Sequence, residues 1–140
     1  MVGPRTAARI MTDVLLAVDD DEARARVQAA DVADLDWEVL EATVLHVFTD
    51  NVEGASIGQF GPAREARDVL EDAGIEVTMA ETSGDPGERV IAQAEETGAD
   101  VISVAGRRRS PAGKAVFGSV SQSIMLNAET PVLYCPVEGE

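Results

Sequence analysis

The stretch Gly106-Arg107-Arg108-Arg109-Ser110-Pro111-Ala112-Gly113-Lys114-Ala115-Val116-Phe117-Gly118-Ser119 gathers the residues best suited to hold a charged ligand. It carries four of the chain's 11 basic residues and no acid, which leaves 7 bases for the rest of a chain bearing 26 acids. Glycine lets a backbone approach a ligand closely. Gly118-Ser119 leads into a predicted helix whose first N–H groups have no intrahelical partner. Together these features describe an anion site, and phosphate is the natural anion. The plainer reading is a solvated loop whose arginines pair with surface acids, and composition alone leaves both open.

Familiar catalytic equipment is missing from the sequence. Gly113-Lys114 does not make a triphosphate loop, because Ala115 follows instead of Ser or Thr and Arg108 stands where the first glycine belongs. No Gly-x-Gly-x-x-Gly follows the first apolar run. His46, the single histidine, lies inside an apolar segment and reads as structural. Cys135, the single cysteine, reads as a small buried hydrophobe. There is no Cys/His cluster for zinc and no Gly-x-Ser-x-Gly elbow. The run Asp19-Asp20-Asp21-Glu22 could hold Mg²⁺, but acids also suit a capped helix start. The capped helix is the preferred reading, and only Asp19 is assigned to the site.

Elements of regular structure must position these residues. Val14–Val18 and Thr43–Phe48 are continuous apolar runs, as expected of strands covered on both faces. Between them Ala23, Val27 and Ala30 recur at helical spacing. Asn51–Gly61, with three glycines, reads as a loop. Pro62 opens a helix with an inner stripe of Ala63, Ala66, Val69, Leu70 and Ala73, closed by Gly74. Ile75–Ala80 alternates like a half-covered strand near a sheet edge. Asp85-Pro86-Gly87-Glu88 is a capping box, opening a helix with Val90, Ile91 and Ala94 inside and Gly98 at its end. Val101–Ala105 is a fourth strand, the Gly- and Arg-rich loop follows, and Ser119 begins a short helix with Val120, Ile124 and Leu126 inside. Pro131–Cys135 is a fifth strand. This alternation predicts an α/β fold: a single-domain, open, mainly parallel five-stranded sheet with helices on both faces, Rossmann-like and doubly wound. If the first and fourth strands are neighbours, Asp19 and Gly106 flank the crevice at the switch point, where such folds bind ligands.

The 140 residues suffice for one domain with one core. Hydrophobic residues make up 45%, too many for an acidic disordered chain. The formal charge of −15 argues against nucleic acid as a partner. No apolar run is long enough for a bilayer, so no membrane association is expected. One cysteine and no long apolar leader fit a reducing, cytoplasmic setting. Met1–Thr12 carries Arg5 and Arg9 and no acid, and is expected to be a disordered lead ahead of a domain spanning 13–137. Lys114 is the only lysine against ten arginines. An acidic, lysine-poor surface stays hydrated in concentrated salt, so a salt-rich cytoplasm in a halophilic source is expected.

In their order these segments resemble the universal stress protein family, over Asp13 to Val137. The resemblance rests on a first strand ending Val18-Asp19 and a second ending His46-Val47. It also rests on the turn Gly84-Asp85-Pro86, a glycine loop with a distant Gly118-Ser119, and a strand opening Pro131-Val132-Leu133. It implies an adenine nucleotide alpha hydrolase-like fold in the nucleotide-binding branch, with ATP as ligand and Mg²⁺ as a potential companion. Carried over, Asp19 faces the ribose and adenine end, and the Val47 backbone meets the adenine edge. Gly106, Ser110, Gly118, Ser119 and Val120 surround the phosphates, with Arg107 and Arg109 beside them. Ala17 stands where the family typically has a proline. Arg109 stands where it has a second glycine, and the loop to Gly118 is one residue shorter. A guanidinium at Arg109 could replace backbone contacts with a charge-assisted bond.

The expected function is an ATP-binding protein of the stress response, whose nucleotide state regulates an unidentified protein partner. The resemblance also implies a homodimer through the last strand. No general base or committed metal site can be named, so any hydrolysis is expected to be slow. The alternative is a dimeric interaction or regulatory module of the same fold that has lost nucleotide.

Overall fold

The computed structural model describes residues 12–35, 40–48, 57–108, 115–116 and 118–137. In chain order they form β1 (Thr12–Ala17), α1 (Glu22–Asp34), β2 (Leu40–Phe48), a 3₁₀ turn (Ile57–Gln59), α2 (Gly61–Asp72), β3 (Glu76–Ser83), α3 (Pro86–Thr97), β4 (Val101–Arg108), β5 (Ala115–Val116), α4 (Ser119–Asn127) and β6 (Val132–Val137). Five strands run parallel in the order β3-β2-β1-β4-β6, and the two-residue β5 pairs antiparallel with β4. The expected open α/β sheet is present, with β1 and β4 as neighbours (Val14 beside Val101, Leu16 beside Ser103).

The apolar runs are explained by burial on both faces. Val14, Leu16 and Val18 of β1 and its extension point with Ala42 and Val44 into a core shared with Ala25, Ala29 and Val32 of α1 and Ala63, Ala66 and Leu70 of α2. Leu15 joins Leu45, Val47, Ile102 and Val104 on the opposite face, under Val90 and Ala94 of α3 and Ile124 of α4. β3 at the sheet edge alternates between exposed and half-buried residues, as its sequence predicts.

Several expectations are corrected. In α1 the buried stripe is Ala25, Gln28, Ala29 and Val32, whereas Ala23 and Ala30 are exposed. A polar residue, Gln28, sits in the true stripe and hides it from a hydrophobic count. In α4, Ile124 is buried but Val120 is 40% and Leu126 80% exposed. At 100° per residue, Leu126 lies some 200° around the helix from Ile124, so one packed face cannot hold both. Ala73 is exposed as the capping residue of α2. β4 runs on through Arg108, because Gly106 and Arg107 pair with Pro136 and Val137 of β6. The final strand is therefore longer than expected and the sixth in chain order.

Thr12, expected in the lead, already pairs with Leu40. The remainder of that segment and residues 51–56 of the expected loop lie outside the described residues. The two capping expectations for α3 hold: Asp85 accepts from the Glu88 N–H at 3.0 Å, and Gly98 closes the helix in the left-handed region (φ 71°).

Candidate functional site

At the switch point the carboxyl ends of β1 and β4 diverge, and a cleft of about 490 Å³ opens between them, α3 and α4. Leu45, Val47, Val90, Val104 and Ile124 give it an apolar floor. Polar groups lie at its rim, contributed by the β1–α1 turn on one side and the start of α4 on the other.

The β1–α1 turn is held residue by residue. The Ala17 carbonyl, past the last β1–β4 pair, accepts a hydrogen bond from Gln28 Nε2 at 3.3 Å. Val18 N–H donates to the Leu45 carbonyl at 3.0 Å, and the Val18 carbonyl lies 2.9 Å from His46 Nδ1, which must donate to it. The imidazole stacks on Phe60 (centroids 3.9 Å apart) and meets Phe48 edge-on at 4.6 Å. Asp19 accepts from Arg24 Nε at 2.8 Å through Oδ2 and from the Asp21 N–H at 3.0 Å through Oδ1. Asp21 caps α1 by accepting from the Arg24 N–H at 2.8 Å. The acidic run thus behaves as a helix start.

Gln28 also ties α1 to β4. Its amide donates to the Ser103 carbonyl (2.9 Å) and to Ser103 Oγ (3.0 Å), which in turn lies 3.6 Å from Cys135 Sγ. Burial pushes the Cys135 thiol up from its ordinary value of 9.0, a rise that its hydrogen bond with Ser103 partly offsets. Cys135 is a buried neutral thiol, as its sequence setting suggests.

The other rim differs. Among the described residues, Gly118 precedes α4 with no side-chain cap, and a Cβ built on it would meet nothing within 4 Å. Gly118, Ser119 and Val120 are all exposed. Ser121 anchors this turn, its hydroxyl donating to the Ala105 carbonyl at 3.2 Å. Gly106, on the β4 side, has no such space. A Cβ there would overlap the Tyr134 hydroxyl and come within 2.6 Å of its Cε1.

Of the sequence-assigned residues, the cleft brings together Ala17, Asp19, Val47, Gly106, Gly118, Ser119 and Val120. Arg107 follows Gly106 in β4, opposite Val116 and Val137. Arg109 and Ser110 lie outside the described residues. Sequence reading missed Arg24, which lines the cleft, and Gln28, which braces it from below. A basic residue at the third helical position after an Asp cap is a usable signal for the first, but a buried glutamine leaves none. Among the described residues, no group of three or more His, Cys, Asp or Glu could hold a metal ion, and no helix is long and apolar enough to cross a membrane.

Known proteins share this fold. A universal stress protein of Mycolicibacterium smegmatis is 26% identical over 102 residues, covering 72% of this chain and 75% of that one. The universal stress protein of Archaeoglobus fulgidus in complex with dAMP superposes with a TM-score of 0.66 at 20% identity, over 90% of this chain and 98% of that chain. A universal stress protein in complex with cAMP gives 0.70 at 20% identity, over 94% and 100%. The model of the universal stress protein family matches residues 11–136, and the chain belongs to that family.

Proposed function

We propose that the cleft binds an adenine nucleotide, ATP in particular, and that nucleotide occupancy lets the protein regulate a partner during stress. The observation that carries this reading is the meeting of three features in one cleft. An apolar floor suits a base, the start of α4 with exposed Gly118 and Ser119 suits phosphate, and the Asp19 carboxylate at the β1 end suits sugar hydroxyls. The dAMP and cAMP complexes of similar proteins support an adenine nucleotide as the ligand class. The bound base would lie over Val47, and Arg107, Arg109 and Ser110 would add to the phosphate end. Mg²⁺ would then be brought in by the nucleotide's own phosphates.

Titration calorimetry of ATP into the dialysed protein, with Mg²⁺ and molar KCl, tests the reading, alongside a search for nucleotide released on boiling. Micromolar binding is expected, without turnover above background. No binding and no released nucleotide would instead favour an interaction module that has lost its ligand, the reading that Arg109 in place of a glycine suggests.

We further propose that the chain works as a cytoplasmic homodimer joined along β6, whose only partner strand among the described residues is β4. With a charge of −15 and one lysine, it is expected to be more stable in molar KCl than at low salt.

A further inference from the structure

The cleft contains a cation that does not sit at its phosphate end. Arg24, in the first turn of α1, has only 13% of its side chain exposed, and its Nε donates to Asp19 Oδ2 at 2.8 Å. Its Nη1 lies 3.9 Å from the Asp21 carboxylate. Two acids of the β1–α1 turn thus balance its charge, so it is poorly placed to act as a phosphate ligand.

Its effect falls on Asp19, whose side chain is 44% exposed and lines the cleft. Each carboxylate oxygen accepts one bond from within the turn, Oδ1 from the Asp21 N–H and Oδ2 from Arg24. Each therefore keeps acceptor capacity, since an ionised carboxylate offers about four lone-pair sites. Bonds to both oxygens fix the plane of the group, whose terminal torsion is otherwise broadly distributed. A planar acceptor held in this way suits two adjacent hydroxyls better than one.

We propose that Arg24 is a positioning residue: by fixing the Asp19 carboxylate it makes the cleft select nucleotides that keep both ribose hydroxyls over their deoxy counterparts. The inference rests on the nucleotide reading above and goes further by naming Arg24 as the residue that holds the sugar-facing carboxylate and so sets its discrimination. A hydrogen bond to a charged acceptor is worth about tenfold or more in affinity.

The test is calorimetric titration of AMP, 2′-deoxy-AMP and 3′-deoxy-AMP into the wild type, Arg24→Met, Arg24→Lys and Asp19→Asn, with folding checked by thermal melting. In the wild type each deoxy ligand should bind about tenfold more weakly than AMP. In Arg24→Met and in Asp19→Asn this gap should close to within about threefold, with deoxy affinities almost unchanged, and Arg24→Lys should lie between. A merely structural arginine would weaken all three ligands in parallel, and that result would overturn the proposal. A full gap in Arg24→Met, or none in the wild type, would overturn it too. Should Arg24→Met fail to fold, Arg24→Lys and Asp19→Asn still decide the question. Wild-type protein that binds none of the three would instead remove the nucleotide reading itself, and this inference with it.

Discussion

The two rims of the cleft are built on opposite principles. On the β1 side, three consecutive residues are fixed by three side chains: Ala17 by Gln28, Val18 by His46 and Asp19 by Arg24. On the α4 side, Gly118, Ser119 and Val120 are exposed, and among the described residues no side chain caps α4. The first rim has its polar groups held in place before any ligand arrives, whereas the second presents backbone N–H groups that a helix cannot satisfy internally. A fixed wall suits discrimination of ligand shape, and donors at a helix start suit anion binding. Substitutions on the first rim should therefore act through stability and orientation, and those on the second through affinity alone.

The largest expected effect lies beneath the fixed rim. Gln28 is 1% exposed, and its amide donates to Ala17 O, Ser103 O and Ser103 Oγ. Gln28→Leu keeps the volume but strands buried acceptors, each loss costing about 1–3 kcal/mol. Urea denaturation should show a drop of about 3 kcal/mol, with a smaller one for Ser103→Ala. A drop below about 1 kcal/mol would mean that this rim is not braced from α1.

Gly106 sharpens the contrast next, because it faces the cleft and yet answers to Tyr134. Gly106→Ala would force its Cβ against the Tyr134 ring, and overpacking of this kind costs about 1–3 kcal/mol. In a Tyr134→Ala background the same change should be nearly neutral, giving a measurable coupling in a double-mutant cycle. Additivity would assign Gly106 to ligand approach rather than to packing.

The sheet was legible in the sequence because its strands are apolar on both sides, so Val14–Val18 and Thr43–Phe48 needed no knowledge of partners. Pro86 and Gly98 likewise marked their helix through local backbone chemistry. The phases of α1 and α4 were less legible. Gln28 is buried because backbone carbonyls elsewhere satisfy it, and Leu126 is exposed because a nine-residue helix packs on one side only. The cleft was readable where glycine and a helix start line it, as at Gly118 and Ser119. It was not readable where a buried side chain braces it from another element, as at Gln28, which reaches Ser103 of β4.

On the open rim the effect should be on affinity and not on the fold. Gly118 has φ −72°, an ordinary value for any residue, and none of the described residues comes within 4 Å of a built Cβ. Gly118→Val should leave the melting temperature within a degree or two while weakening ATP about tenfold, as read by calorimetry. A large fall in stability would show that this rim, too, is held from within.

The smallest effect lies at the far end of the sheet. Asp13, Glu41 and Glu76 stand side by side on β1, β2 and β3. The Glu41 carboxyl is raised above its ordinary 4.5, first by its hydrogen bond with Asp13, then by burial and by the charges of Asp13 and Glu76. A carboxyl raised by folding holds its proton more tightly in the native state, so stability is greatest below 4.5 and declines as pH rises through the folded value. The chain carries 26 acidic residues, so the wild-type curve alone is a poor guide to any one of them. The difference between Glu41→Gln and wild type isolates the one group. Glu41→Gln should melt slightly higher at pH 7, and its advantage should shrink as pH approaches 4.5. It should shrink likewise in molar KCl, which screens repulsion along the row. An advantage independent of both pH and salt would show that the three carboxylates do not interact across the strands.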